Sequence, residues 1–246
     1  MSVSRRQFIG MSAVAGVALA PGIRLIDLAN ARPLDEPATS KQRWGLLIDT
    51  TKCAKGCSAC VEGCNTYNGI KPVEHPNHDD TLTNAQWIRK VDVKDEKTGH
   101  AFSLPVMCQH CAEPPCVDVC PTGASMKRDD GIVLVDKHVC IGCRYCMMAC
   151  PYKARSFIHE DITGQKTNAP RGKGTVESCT MCVDKVDAGE GTTACAEACN
   201  TEGHRAIIFG DLNDPDSEIA QRVKNEASKG IREDLNLNTG VRYQGI

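Results

Sequence analysis

The sequence predicts an α+β fold of short strands and short helices, duplicated within one chain and organised around cysteine. Three observations carry this. Of 246 residues, 16 are Cys, and they fall into four closely spaced quartets: Cys53, Cys57, Cys60, Cys64; Cys108, Cys111, Cys116, Cys120; Cys140, Cys143, Cys146, Cys150; and Cys179, Cys182, Cys195, Cys199. Aromatic residues are only 4% of the chain, so few large side chains are present to fill a core. Whatever the cysteines hold must take over that role. Finally, Leu47-Ile48-Asp49-Thr50-Thr51-Lys52-Cys53 is echoed by Leu134-Val135-Asp136-Lys137-His138-Val139-Cys140. Each is a strand, an Asp and three further residues before a first cysteine, the mark of an internal duplication.

The third quartet states the chemistry most directly. Cys140-Ile141-Gly142-Cys143-Arg144-Tyr145-Cys146-Met147-Met148-Ala149-Cys150-Pro151 reads C-x2-C-x2-C-x3-C-P. This is the bacterial ferredoxin spacing for a [4Fe–4S] cluster, in which the fourth cysteine ligates the other cluster of a pair. Three thiolates on one tight loop reach three irons of a cube, and Gly142 lets the backbone approach closely. The fourth cysteine is expected to start a helix that leads to the neighbouring cube, with Pro151 where a missing N–H costs little. The expected fold is therefore a duplicated bacterial ferredoxin-like one: two nested two-[4Fe–4S] units, then a C-terminal helix and tail.

Taken in order, the chain begins with a targeting segment. Ser4-Arg5-Arg6-Gln7-Phe8-Ile9, an apolar stretch from Met11 to Ala20, and Ala29-Asn30-Ala31 together look like a twin-arginine signal over residues 1–31, cleaved after Ala31 or retained after export. The apolar run is short for a membrane span. Residues 32–43 read as a polar linker. Trp44–Asp49 is a strand, and Asp49, like Asp136, is expected to open a cluster loop by accepting backbone N–H bonds. The first quartet is spaced x3, x2, x3. Ala54 or Lys55 is its extra residue and Gly56 can absorb it; the cluster type there stays open. Residues 66–86 read as a loop, with His75 and His78 as solvated histidines. Trp87–Val93 and Ala101–Val106 form a hairpin around the turn Asp95–Gly99.

The second quartet, spaced x2, x4, x3, carries the stiff insert Glu113-Pro114-Pro115. Thr122–Met126 reads as a turn and Gly131–Val135 as a strand. Residues 152–175, with Lys153, Arg155, Lys166, Arg171 and Lys173, read as a basic, solvated loop. Ala206–Phe209 is a closing strand, Gly210–Asp216 a turn capping a helix over Ser217–Ala227, and Leu235–Ile246 an extended tail, disordered or lying along a partner. The domain plan is a cluster domain over 44–210, with an outer unit of 44–65 plus 176–210 and an inner unit of 101–160. Residues 211–246 follow as helix and partner-binding tail.

The residues after the fourth cysteines suggest which quartets pair. Cys120 and Cys150 precede Pro; Cys64 and Cys199 precede Asn. That nests the inner two quartets inside the outer two. Swapping fourth cysteines then gives four sets: Cys53, Cys57, Cys60 with Cys199; Cys64 with Cys179, Cys182, Cys195; Cys108, Cys111, Cys116 with Cys150; and Cys120 with Cys140, Cys143, Cys146. Four [4Fe–4S] clusters would use every thiol. Cysteine in an exported chain reads by default as disulfide, but quartets of metal-ligand spacing behind a folded-export signal point away from it. Zinc ribbons use paired C-x2-C, seldom runs of three thiolates with a fourth three residues on. No C-x-x-C-H for covalent haem, no nucleotide fingerprint and no Ser-His-Asp grouping occurs. The net charge of −2 gives no basic surface for nucleic acid. A cube with four thiolates lacks an open position, so the expectation is an electron-transfer subunit with no catalytic residues. An enzyme with substrate at one cube, or a freely diffusing ferredoxin, is the alternative.

From Cys53 to the C-terminus the chain resembles the four-cluster ferredoxin-like beta subunits of membrane oxidoreductases, the family of NrfC and of the polysulfide (PsrB-type) and dimethyl sulfoxide reductase subunits. Cys108-Gln109-His110-Cys111-Ala112-Glu113-Pro114-Pro115-Cys116 and the stretch Gly210–Ser217 carry the resemblance. The chain's own signal, the spaced first quartet and the ending Val241-Arg242-Tyr243-Gln244-Gly245-Ile246 look most like the DsrO branch, from the DsrMKJOP complex of dissimilatory sulfur metabolism. The resemblance implies a periplasmic location on the outer face of the cytoplasmic membrane. It also implies electron relay between an NrfD-like, quinone-reacting integral membrane subunit (DsrP-like) and a multihaem cytochrome c (DsrJ-like). An NrfC-like or polysulfide-reductase-like role is the alternative.

Overall fold

A computed structural model of the chain describes residues 36–71 and 84–246. The signal segment and the histidines at 75 and 78 lie outside the described residues. In chain order the elements are β1 (Trp44–Asp49), α1 (Ala59–Asn68), β2 (Ile88–Lys94), β3 (Ala101–Met107), α2 (Pro115–Asp118), β4 (Ser125–Lys127), β5 (Val133–Val135), α3 (Tyr145–Ala149), β6 (Ser156–Phe157), β7 (Val176–Glu177), α4 (Val183–Asp187), α5 (Ala194–Thr201), β8 (Ile207–Asp211), α6 (Glu218–Asn225) and β9 (Val241–Gln244). A 3-10 turn spans Glu233–Leu235.

One three-stranded sheet, in the order β8-β1-β9, ties distant parts of the chain together. β1 runs antiparallel to β8 and parallel to β9, with Ile48 opposite both Ile207 and Tyr243. Leu46, Leu47 and Ile48 are fully buried in succession, as a strand covered on both faces requires, and each contributes about 1.5–3 kcal/mol by leaving water. α6 packs on this sheet through fully buried Ile219, and Gly210 of β8 makes room for it: a Cβ there would lie 2.8 Å from Ile219 Cγ2. Ser217 caps α6 as expected, accepting from the N–H of Ala220 at 3.2 Å. The β2–β3 hairpin forms at the expected place, pairing Ile88 with Met107 through Lys94 with Ala101. Two-stranded pairs β4–β5 and β6–β7 complete the strands.

Several expectations need correction. The tail is not a free extension: Val241 and Tyr243 are fully buried in β9, and the Tyr243 hydroxyl donates to Pro105 O at 2.9 Å while accepting from Gln109 at 3.1 Å. The linker is pinned at its end, where Arg43 Nη2 donates to the carbonyl of His110 at 2.9 Å. Ser125 and Met126 belong to a strand, not a turn. Residues 66–68 extend α1 rather than a loop, and Gly69, at φ +66°, ends the helix. The basic loop is not uniformly solvated either, because Arg155 and Arg171 are buried. Finally, the helices run between third and fourth cysteines instead of starting at the fourth. Cys146 lies in α3 and Cys150 just past it, while Cys60 and Cys64 both sit on α1. Three intervening residues make one helical turn, so the pair shares a face and reaches two neighbouring sites.

Candidate metal centres

Each quartet begins with the same local device. The residue before its second cysteine has positive φ: Gly56 at +78°, His110 at +43°, Gly142 at +69° and Met181 at +55°. A left-handed residue in a turn aims successive N–H groups into the concavity, which suits an anion. Thus the N–H of Met181 points at Cys179 Sγ, 3.4 Å away, and that of His110 at the Cys108 sulfur. Gly142 is required by close approach as well, since a Cβ would lie 2.1 Å from Gly174 O. The loops are opened by Asp49 and Asp136 as anticipated, each accepting the N–H two residues on, from Thr51 at 3.1 Å and His138 at 2.8 Å. In the first quartet the extra residue is held by Lys90, whose ammonium donates to Ala54 O at 2.7 Å.

Further donors converge on sulfur. Cys120 Sγ accepts from the N–H of Ser125, Cys199 Sγ from that of Ala206, both at 3.3 Å, and Cys182 Sγ from that of Ala194 at 3.4 Å. Asn68 Nδ2 reaches Cys64 Sγ at 3.5 Å, and Thr193 Oγ1 stands 3.2 Å from Cys195 Sγ. N–H groups aimed at sulfur favour thiolate.

The structure brings the cysteines together across quartets. One small cavity is lined by Cys108, Cys111, Cys116 and Cys150. Another is lined by Cys53, Cys57, Cys60 and Cys199. Cys64 lies close to Cys182 and Cys195, and Cys179 to all three. Cys146 neighbours Cys140 and Cys120, while Cys143 sits exposed on the loop between Cys140 and Cys146. Among the described residues no three His, Cys, Asp or Glu converge on a single ion position; the thiols stand around cavities.

Burial dominates the acid–base state of these thiols. It pushes Cys60, Cys111 and Cys182 up to about 11 and Cys108 and Cys195 to about 12. Cys64 and Cys179 also rise well above the ordinary thiol value. Such thiols stay neutral until a cation displaces their protons. His110, fully buried, is pushed down to about 3 by burial and by the charges of Arg43 and Arg155. It stays neutral and accepts the Val133 N–H on Nδ1 at 3.0 Å.

Two orphaned polar atoms test what would fill the first cavity. Arg155 Nη1 and the Tyr152 hydroxyl are buried without a hydrogen-bond partner, and both residues line it. Buried donors on residues that line a cavity ringed by four thiols fit a group that is anionic and sulfur-rich, as an iron–sulfur cluster is. Sequence reasoning missed Arg155 and Lys90. A signal for Arg155 was present: it stands five residues after Cys150 as Ser125, another residue at a sulfur, stands five after Cys120.

Comparison with known proteins agrees with this donor set. Residues 100–211 and residues 52–124 each match a 4Fe-4S dicluster domain. The chain is 36% identical over 272 residues to the Hdr-like menaquinol oxidoreductase iron-sulfur subunit 1 of Archaeoglobus fulgidus, covering 98% of this chain and 97% of the relative. It is 34% identical to the iron-sulfur cluster-binding subunit of menaquinone reductase from Nitratidesulfovibrio vulgaris, covering 82% of this chain and 89% of the relative. With the protein NrfC of Escherichia coli the identity is 36%, covering 91% and 87%. The chain therefore belongs to the [4Fe–4S] dicluster family, as an iron–sulfur electron-transfer subunit of an oxidoreductase complex and not a catalytic one.

Proposed function

We propose that the chain holds four [4Fe–4S] cubes in two nested pairs. The outer pair uses Cys53, Cys57, Cys60 with Cys199, and Cys64 with Cys179, Cys182, Cys195. The inner pair uses Cys108, Cys111, Cys116 with Cys150, and Cys120 with Cys140, Cys143, Cys146. The observation that carries this reading is the pair of cavities, each ringed by three cysteines of one quartet and the fourth of another. When bound, a cube with four thiolate ligands supplies one-electron exchange and offers no open coordination position. The chain's own work is to seal the thiols from water, aim N–H groups at them and fix their separations.

On this reading the chain is DsrO-like. It is exported by the twin-arginine route on residues 1–31, and works in the periplasm against the outer face of the cytoplasmic membrane. There it relays electrons between an NrfD-like, quinone-reacting membrane subunit and a multihaem cytochrome c in dissimilatory sulfur metabolism. The end-to-end similarity to a protein named for menaquinol oxidation, and the similarity to one named for menaquinone reduction, support a quinone-linked partner. The similarity to NrfC supports the second reading, an NrfC-like or polysulfide-reductase-like role in a nitrite- or sulfur-compound-reducing system.

The test is anaerobic purification from membranes in mild detergent, with mass identification of the co-purifying chains. An NrfD-like membrane protein with a multihaem cytochrome c and a cytoplasmic iron–sulfur protein is expected. A molybdenum protein or a nitrite-reducing cytochrome would select the second reading, and recovery alone in the soluble fraction would sink both.

A further inference from the structure

Two arginines of the 152–175 loop are buried, and they are treated differently. Arg171 is matched by a carboxylate: its guanidinium donates to Glu177, itself fully buried, at 2.8 and 2.9 Å. Arg155, 6% exposed, faces sulfur instead. Its Nη2 lies 3.1 Å from Cys116 Sγ, the Cys108 and Cys146 sulfurs are its next neighbours, with a hydrogen bond to Cys146, and its Nη1 has no partner. A buried cation without a counter-charge is strongly disfavoured. The position is tenable where a buried anion stands beside it, and two thiolate-ligated cubes, each carrying net negative charge, would be that anion. Cys116 and Cys146 belong to different cysteine sets, so one guanidinium touches both members of the inner pair. By contrast, Lys185, near Cys182 of the outer pair, is already spent on Glu197 at 3.0 Å and on Glu190.

We infer that Arg155 is a positioning residue shared by the two inner clusters, whose fixed charge stabilises their reduced states and holds both reduction potentials above that of the cluster on Cys64, Cys179, Cys182 and Cys195. The inference rests on the four-cluster reading. A positive charge favours whichever state carries more negative charge, so its removal lowers a potential. Because the guanidinium serves neighbouring sets, the two inner potentials are tied to one side chain.

The experiment is a redox titration of the whole chain followed by electron paramagnetic resonance, with iron content measured alongside, for the wild type, Arg155→Gln and Arg155→Lys. With iron retained, R155Q is expected to shift two potentials downward together and leave the other two in place, and R155K to shift the same two by less. If R155Q drops half of its iron, the lost signals should be the inner pair's, and R155K should restore them. Four unchanged potentials in iron-replete R155Q would overturn the inference, as would an equal shift of all four, loss of all iron, or failure of R155K to recover the pair. A wild type without four cubes would instead overturn the reading beneath it.

Discussion

The two proposed units solve one problem, burying thiols beside metal, with different materials. The outer unit is mechanical. Four of its eight cysteines ride on α1 of 10 residues and α5 of 8, which meet so closely that a Cβ on Gly63 would lie 2.5 Å from Ala198 Cβ and 3.0 Å from Ala194 O. The three-stranded sheet closes over them with strands from both ends of the described chain. The inner unit is electrostatic. Its helices α2 and α3 have 4 and 5 residues, too short to be stable alone, and a buried cation stands among its sulfurs. It is also the more open, with Cys143 exposed among Ile141, Tyr145 and Met148 at 67%, 53% and 68% exposure. On the nested reading, the difference teaches that helix packing carries more of the outer unit and a buried charge more of the inner one.

The strongest way to break that contrast is Gly63→Val. The added side chain must push α1 from α5, and overpacking of this kind costs about 1–3 kcal/mol or more. We expect the outer pair's signals and half of the iron to be lost while the inner pair's resonances persist, read by iron analysis and paramagnetic resonance. Tyr243→Ala comes next. It removes a fully buried ring and two hydrogen bonds from β9, and by analogy with other buried aromatics should cost about 3–5 kcal/mol. Thermal unfolding under anaerobic conditions measures it, with inner potentials unchanged in the folded fraction.

These two sites also show what the sequence could and could not disclose. Asp49 and Asp136, the hairpin and the cap at Ser217 were legible because each is local: a side chain meets a backbone group two or three residues away. β9 was not, because its four residues find their partner in β1, nearly the whole described chain earlier, and in parallel register. Gly63 carried no signal of its own, since its need arises from a helix that begins at Ala194. Arg155 was misread for a related reason. A run of Lys and Arg normally marks solvation, and the sulfur that Arg155 meets at 3.1 Å, Cys116, lies 39 residues away. The cysteine spacing was legible whatever the surrounding fold, and two of the four groupings expected from it line a cavity each.

Smaller effects sharpen the comparison. Ser217→Ala removes the α6 cap and should lower stability by about 1 kcal/mol, seen as a modest fall in Tm with all cluster signals intact. Met148→Ser, on the exposed inner face, should move stability by no more than about 0.5 kcal/mol. A larger loss from M148S than from S217A would mean that the open face of the inner unit is structural after all.

The most direct measurement of the central claim, that fourth cysteines are exchanged between quartets, is paramagnetic resonance of anaerobically prepared Cys199→Ser beside Cys53→Ser and Cys195→Ser. Exchange predicts that C199S and C53S perturb the same cluster and that C195S perturbs a different one. If C199S and C195S lose the same cluster, each quartet holds its own cube and the nested arrangement is wrong.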